Sequence, residues 1–229
     1  MTVELDQRFL VLGDAFSEAL AKSRAAAAAN SGVDTGPTIA AQRAIMACLA
    51  SIACRPDRAV DQIDAKAKVR RAAIHVSVVQ GLHAVEYCIQ HALYAQAAAL
   101  VRQEMEAAEG LRGIRLGLQK DKETPRLKAL RHLGRAYSQL TGLAHLSHSD
   151  LLLHVTDVLG SGFDHTFNPE FSEFLLCLHL SALVGVALDM AELRPYKPGE
   201  VLDPQEKAWL ECICGLLDDL GFLKPSFNR

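Results

Sequence analysis

The sequence predicts an all-α protein, a bundle of about six to eight helices that forms a single domain over residues 1–229. Half of the residues are apolar, and most of these are Ala and Leu, which favour helix over strand. No stretch of useful length alternates apolar and polar residues as a half-buried strand would. A chain of this length can bury a sizeable core without metals or disulfides.

The N-terminal helices are predicted within residues 1–55. Pro37 stands at a favoured first-turn position and opens the second of them, which is expected to end near Arg55. The first helix is expected over about 3–29, because apolar residues recur there at three- and four-residue steps and form one face. This predicted face consists of Leu5, Phe9, Leu12, Phe16 and Leu20.

The central part of the bundle is predicted over residues 57–159. Its first proline is at position 125, and the stretch before it is too long for one ordinary helix. We therefore expect a break near Gly81 or around Leu93. A further helix should run from Pro125 to about His145, followed by a short helical piece over 149–159.

The C-terminal helices are predicted within residues 168–221. Asn168 precedes a proline and a glutamate, which is typical of a helix N-terminus, and this helix should reach about Leu193. Asp203 and Glu206 stand at the spacing of a capping box and start the last helix. Gly221 is expected to end it.

Composition also indicates where the protein resides. The most apolar run, 174–190, is interrupted by His179 and Asp189, so a central buried helix is expected there and no membrane span. The N-terminus lacks a basic stretch followed by an apolar one, so no secretory signal is predicted. We expect a cytoplasmic protein whose cysteines are buried, reduced thiols within helical segments. These are Cys48, Cys54, Cys88, Cys177, Cys212 and Cys214.

Charge is distributed unevenly along the chain. Residues 1–135 hold 19 Lys and Arg against 14 Asp and Glu, whereas residues 136–229 hold 5 against 13. The densest basic stretch runs from Arg112 to Arg135 and is one candidate for contact with RNA. It contains no aromatic residue on which bases could stack. The other interpretation is a solvated face whose charges pair with the acidic half, within the chain or across a dimer.

Two helical segments carry the candidate catalytic residues. Arg102 and Glu106 are four residues apart, so they share one helix face and an ion pair is geometrically easy. Tyr137 and His145 share a stripe with His148 if their helix continues that far. The stripe could shuttle protons, but its two histidines supply only two of the three or four ligands that zinc requires. No metal and no cofactor is predicted.

These motifs resemble those of a known superfamily. The pattern Leu100-Val-Arg102-Gln-x-x-Glu106, followed after about thirty residues by Tyr137-x-x-Leu140-x4-His145, is similar to that of HEPN proteins. The resemblance covers roughly residues 75–155. It implies a helical bundle, often dimeric, of the kind that recurs in bacterial toxin–antitoxin and phage-defence systems.

The resemblance also bears on catalysis. Active HEPN ribonucleases carry an Arg-x(4–6)-His motif, in which histidine is the acid/base and arginine holds the phosphate without a metal. Arg70-x4-His75 and Arg126-x5-His132 have this spacing here. Each lacks the polar residue that usually follows the arginine. The resemblance therefore implies the fold and a dimer more strongly than RNA cleavage.

Three hypotheses follow, and whether the chain is an enzyme stays open among them. The first is a non-catalytic bundle that acts as a homodimer or binds a protein partner in a bacterial defence or regulatory system. The second is a metal-independent ribonuclease that uses Arg102 or Arg126. The third is a bundle that binds a small molecule or a metal through the Tyr137 stripe. The candidate ligand-binding residues are His148, Arg126, Arg131 and His132.

Overall fold

The computed structural model describes residues 7–31, 36–56, 64–119, 123–125, 133–145 and 167–222. Within these ranges it contains seven α-helices and no strand, which confirms the predicted all-α class. The short helical piece predicted over 149–159 lies outside the described residues. The helices are α1 (Gln7–Ser31), α2 (Pro37–Ala53), α3 (Ala65–Gln90), α4 (Tyr94–Arg115), α5 (Gly134–Ala144), α6 (Pro169–Leu193) and α7 (Pro204–Asp219).

The core is arranged around α6. This helix is apolar on all sides, so it is stable only when other helices cover it completely. It packs most extensively against α4 and α2 and also contacts α3 and α7, whereas α5 packs on α4. The side chains of Leu175, Leu178, Leu180 and Leu183 are fully buried. The prediction of a central buried helix over 174–190 is therefore confirmed.

By length and composition alone, α3 and α6 resemble membrane-crossing helices in the described part of the chain. The core helix of a soluble protein passes the same test, and 78% of the apolar window of α6 is buried. In α3 the buried share is only 28%. α3 is thus the less apolar of the two helices and also the less covered.

The break between α3 and α4 lies at residues 91–93, and α3 continues through Gly81. Ala92 adopts a left-handed backbone conformation with φ of 55°. The amide of Leu93 donates to the carbonyl of Cys88, and that of Ala92 donates to Ile89. This is the Schellman geometry that usually places glycine in the left-handed position. Because a buried alanine occupies it instead, the sequence carries no clear stop signal.

α1 corrects part of the sequence prediction. Phe16, from the predicted apolar face, is 46% exposed, and the side chain that α1 buries in the core is that of Ala27. The side chains of Leu5, Phe9 and Leu12 lie outside the described residues. For the part of α1 whose side chains are described, the apolar periodicity therefore did not predict the residue that enters the core.

The last helix begins and ends as predicted. Asp203 and Glu206 form a capping box at its start, in which the amide of Asp203 donates to Oε2 of Glu206 over 2.9 Å. Gly221 ends it with φ of 78°, and the amide of Phe222 donates to the carbonyl of Leu217. At the start of α6, the side chain of Asn168 likewise accepts from the amide of Phe171.

Glu206 also joins three elements in the interior. Its buried carboxylate accepts from the hydroxyl of Ser51 over 2.6 Å and forms an ion pair with Arg55. Arg55 in turn donates to the carbonyls of Arg194 and Val201. This arrangement ties the end of α2 to the end of α6 and the start of α7.

We expect Arg55→Ala to lower the free energy of unfolding by about 3 kcal/mol, because it leaves the Glu206 carboxylate buried without its cation. Lys207→Ala is the matched control, since it removes an exposed ion pair to Glu211 and should change stability by less than about 0.5 kcal/mol. Urea unfolding measures both. If Arg55→Ala and Lys207→Ala change the free energy of unfolding equally, the buried pair of Arg55 with Glu206 does not stabilise the fold.

Candidate functional site

Four predicted site residues meet where α4 packs against α5. Nε of Arg102 lies 3.6 Å from Oε1 of Glu106, one turn further along α4. The hydroxyl of Tyr137 donates to the same Glu106 oxygen over 2.6 Å. Nη1 of Arg102 donates to Nε2 of His145 over 3.3 Å. We call these four residues the Arg102 cluster.

The Arg102 cluster is half-buried, since the side chains of Arg102 and Glu106 are each 21% exposed. Burial raises the pKa of Tyr137, and the hydrogen bond to Glu106 and its negative charge raise it further, although the charge of Arg102 opposes this. Tyr137 therefore remains a neutral phenol that donates its proton to Glu106. The four groups form one chain of contacts from Tyr137 to His145.

His145 lies at the C-terminal end of α5, where its amide donates to the carbonyl of Thr141. The helix described by the structure ends here, and His148 lies outside the described residues. Because Nε2 accepts from Arg102, this nitrogen must be unprotonated in the observed arrangement. His145 could exchange a proton through Nε2 only after Arg102 has moved away.

The basic stretch is described only in part. Arg112 forms an ion pair with Glu109 over 3.2 Å, and Arg115 forms one with Glu192 from the acidic half of the chain. These two contacts follow the pattern of charges that pair within the chain. The predicted residues Arg126, Arg131 and His132 lie outside the described residues, so RNA contact through this stretch remains a prediction.

Among the described residues, no group of three or more His, Cys, Asp or Glu side chains is arranged to hold a metal ion. All six cysteines are free thiols, but the prediction that they are buried is wrong for Cys54 and Cys212, which are exposed. Burial raises the pKa of Cys48 to about 11 despite the nearby charge of Arg55, and it raises that of Cys177 to about 12, with a further contribution from Glu173. Such thiols are poor nucleophiles at neutral pH.

A buried ionic cluster escaped the sequence reasoning. Nε of Arg71 donates to Oδ1 of Asp189 over 2.9 Å, and Nε2 of His75 lies 2.9 Å from the same oxygen. We call Arg71, His75 and Asp189 the Asp189 cluster. His75 was matched with Arg70 as an HEPN-type pair, but its ring points into the interior. The signal that could have indicated this cluster is the four-residue step from Arg71 to His75, together with the lone acid in the apolar run of α6.

A second buried pair joins α4 to α6. His179 is fully buried, and its Nδ1 lies 2.6 Å from Oε2 of Glu104. Nδ1 therefore has a partner in the core, whereas Nε2 has no hydrogen-bond partner. Oε1 of Glu104 also has none. Sequence reasoning did not identify Glu104, because only the docking of α4 on α6 places it beside His179.

The chain matches no protein-family model, no curated protein and no solved structure. These comparisons do not bear on the HEPN resemblance, which therefore remains a prediction. A functional proposal for this protein has to come from its own residues and their arrangement.

The Asp189 cluster should make stability sensitive to acid. Burial alone would raise the pKa of Asp189, but the hydrogen bonds and positive charges of His75 and Arg71 hold it below the ordinary value. A depressed folded-state pKa means that the carboxylate stabilises the fold above about pH 4 and that this contribution is lost as pH falls through the folded-state pKa.

We expect Asp189→Asn to lower the free energy of unfolding at neutral pH by about 2 kcal/mol, because buried Arg71 then keeps only the partly exposed carboxylate of Glu192, 3.3 Å from its Nη2. The variant should also lose part of the acid dependence. Urea unfolding at pH values from about 2.5 to about 7, on both sides of the ordinary carboxyl pKa of about 4, measures both effects. The variant Asp219→Asn, at an exposed position, is the control. If the free energy of unfolding depends on pH in the same way in the two variants, the Asp189 cluster is not the source of the acid sensitivity.

Proposed function

We propose that this protein is a non-catalytic helical bundle that acts as a homodimer, formed through the exposed side of α3, in a bacterial defence or regulatory system in the cytoplasm. The observation that supports the proposal is the exposed apolar surface of α3. Val69 is 68% exposed and Val76 is 55% exposed. We call this surface the α3 outer face, and it consists of Val69, Ala72, Val76, Val79, His83 and Tyr87.

The α3 outer face has the spacing of a helix–helix seam. Its first five residues follow one another at steps of three, four, three and four, which keeps them on one side of the helix over roughly 20 Å. Alanine at position 72 allows close approach, and the valines supply apolar surface. A regular stripe of this kind suits packing against another helix better than it suits solvent.

A second copy of this chain is the partner that fits best. No exposed residue of α3 between Val69 and Tyr87 is Asp, Glu, Lys or Arg. A nucleic acid or a charged protein would therefore find no complementary charge there. An uncharged stripe matches itself across a two-fold axis, as isologous dimers require. The HEPN resemblance implies a dimer, which also favours a second copy of this chain as the partner.

We expect the protein to be dimeric by light scattering coupled to size exclusion, and Val76→Glu to weaken the dimer at least 100-fold. The physical reason is that the two-fold axis would bring two buried carboxylates together without cations. Val201→Glu, at an exposed valine in the connector before α7, should leave the dimer intact. Circular dichroism checks that both variants remain helical.

The proposal fails if the wild-type protein stays monomeric at high concentration, or if both glutamate variants dimerise equally well. Binding of wild-type monomers to lipid vesicles, abolished by Val76→Glu, would likewise overturn it, since a membrane would then be the partner of the α3 outer face.

A metal-independent ribonuclease is the second candidate, favoured by the contact between Arg102 and His145. In such a reaction the arginine holds the phosphate and the histidine transfers the proton. A phosphate bound to Arg102 would draw the guanidinium away from Nε2 of His145 and release this nitrogen as an acid/base. The observed contact would then be the resting arrangement.

Incubation with labelled RNA in EDTA tests this candidate. If the protein is a ribonuclease, cleavage persists without metal, and His145→Ala lowers its rate at least 100-fold because the proton-transfer group is lost. Lys207→Ala is the control, as its side chain is exposed on α7, away from both the α3 outer face and the Arg102 cluster. Absence of cleavage by the wild-type protein excludes the ribonuclease, and cleavage that is unchanged in His145→Ala shows that this residue is not the acid/base.

A further inference from the structure

A cavity of about 300 Å³ lies between α3 and α4 and opens to solvent. This volume is at the lower end of the range for small-molecule sites. The cavity lies beside the α3 outer face and does not coincide with it. Its walls are mainly apolar, and they include Ile74, Val78, Val85, Leu100, Ala107 and Pro125.

One carboxylate in this cavity lacks a hydrogen-bond donor. Glu104 lines the cavity, and its side chain is only 6% exposed. Its Oε2 is held by His179, but Oε1 is buried with no hydrogen-bond partner. A buried acceptor without a donor is unfavourable. An N–H group placed in the cavity would supply the missing hydrogen bond.

The charged side chains among the described residues that line the cavity are both acidic. They are Glu104 and Glu106, and none of these described lining residues is Lys, Arg or His. The other polar side chains among them are those of Ser77 and Gln103, which are neutral. Glu106 is paired with Arg102, so Glu104 is the carboxylate that would repel an anion and attract a cation, most strongly where water is excluded.

We propose that this cavity binds a small organic cation, a primary ammonium or guanidinium group on a short apolar chain or ring. The cationic group donates a hydrogen bond to Oε1 of Glu104, and the apolar body lies against the walls of α3 and α4. The inference does not rest on the proposed dimer, since the cavity is formed within one chain. Because Glu106 also belongs to the Arg102 cluster, a bound cation would lie next to that cluster.

Two glycines shape the cavity. A Cβ atom added at Gly81 would meet no other atom within 4 Å, although Gly81 lies in the middle of α3. Glycine is unfavourable inside a helix, so a larger residue here improves the helix while filling the space beside it. At Gly110, an added Cβ would lie 3.2 Å from Cγ of Pro125, which shows how closely this proline covers one end.

Isothermal titration calorimetry with three probes of equal length tests the charge preference in the full-length protein. The probes are hexylammonium, hexanol and hexanoate. We expect hexylammonium to bind at least tenfold more tightly than hexanol, and hexanoate not to bind. If hexanol or hexanoate binds as tightly as hexylammonium, or if no probe binds, the proposal is wrong.

Three variants locate the site. Gly81→Leu should abolish binding of hexylammonium by filling the cavity, whereas Gly215→Leu is the matched control on α7, where an added Cβ also meets no atom within 4 Å. Glu104→Gln should weaken binding at least tenfold while keeping the side-chain size. If Glu104→Gln does not fold, the comparison of Gly81→Leu with Gly215→Leu still tests whether the cation binds in this cavity. Equal binding by Gly81→Leu and Gly215→Leu would place the cation elsewhere and overturn the proposal.

Discussion

The burial of most of α6 is the constraint on which the rest of the structure depends. A helix surrounded by other helices cannot hydrate its polar side chains, so each of them needs a partner from a neighbouring helix. Glu104 of α4 reaches His179, and Arg71 and His75 of α3 reach Asp189. Sliding α3 or α4 along α6 would separate these groups and leave a charge buried alone, which is strongly unfavourable. The polar pairs thus set the register of the bundle, while the apolar side chains supply most of its stability.

Because α3 and α4 are fixed on α6, the positions of the residues on their remaining sides are fixed as well. Glu104 connects the buried pair with His179 to the cavity between the two helices. Glu106, half a turn further along α4, connects the cavity to the Arg102 cluster. α3 forms one wall of the cavity, and the α3 outer face is exposed. The cavity, the Arg102 cluster and the α3 outer face are therefore neighbours, because α3 and α4 form the cavity while α4 also carries part of the cluster and α3 carries the outer face.

The geometry of the Arg102 cluster bears on the choice between association and catalysis. Tyr137 donates to Glu106, Glu106 forms an ion pair with Arg102, and Arg102 donates to His145. These groups largely satisfy one another, which is how a polar contact between two helices is stabilised. A catalyst needs at least one of them released for a substrate. The cluster as observed therefore serves first to hold α5 on α4, and the uncovered apolar surface of α3 gives association the stronger support.

The sequence by itself determined what depends on near neighbours along the chain. The caps at Asn168, Asp203 and Gly221 and the pairing of Arg102 with Glu106 depend on residues two to five positions apart, and they were predictable. The sequence left the break before α4 open between Gly81 and Leu93, and the structure places it at residues 91–93. Only the tertiary structure decided the meeting of Arg71 with Asp189 and the exposure of α3. Helical periodicity shows that a helix has an apolar side, but it does not show whether that side is covered. Which groups meet across 118 residues depends on how whole helices dock, and that is a property of the assembled bundle.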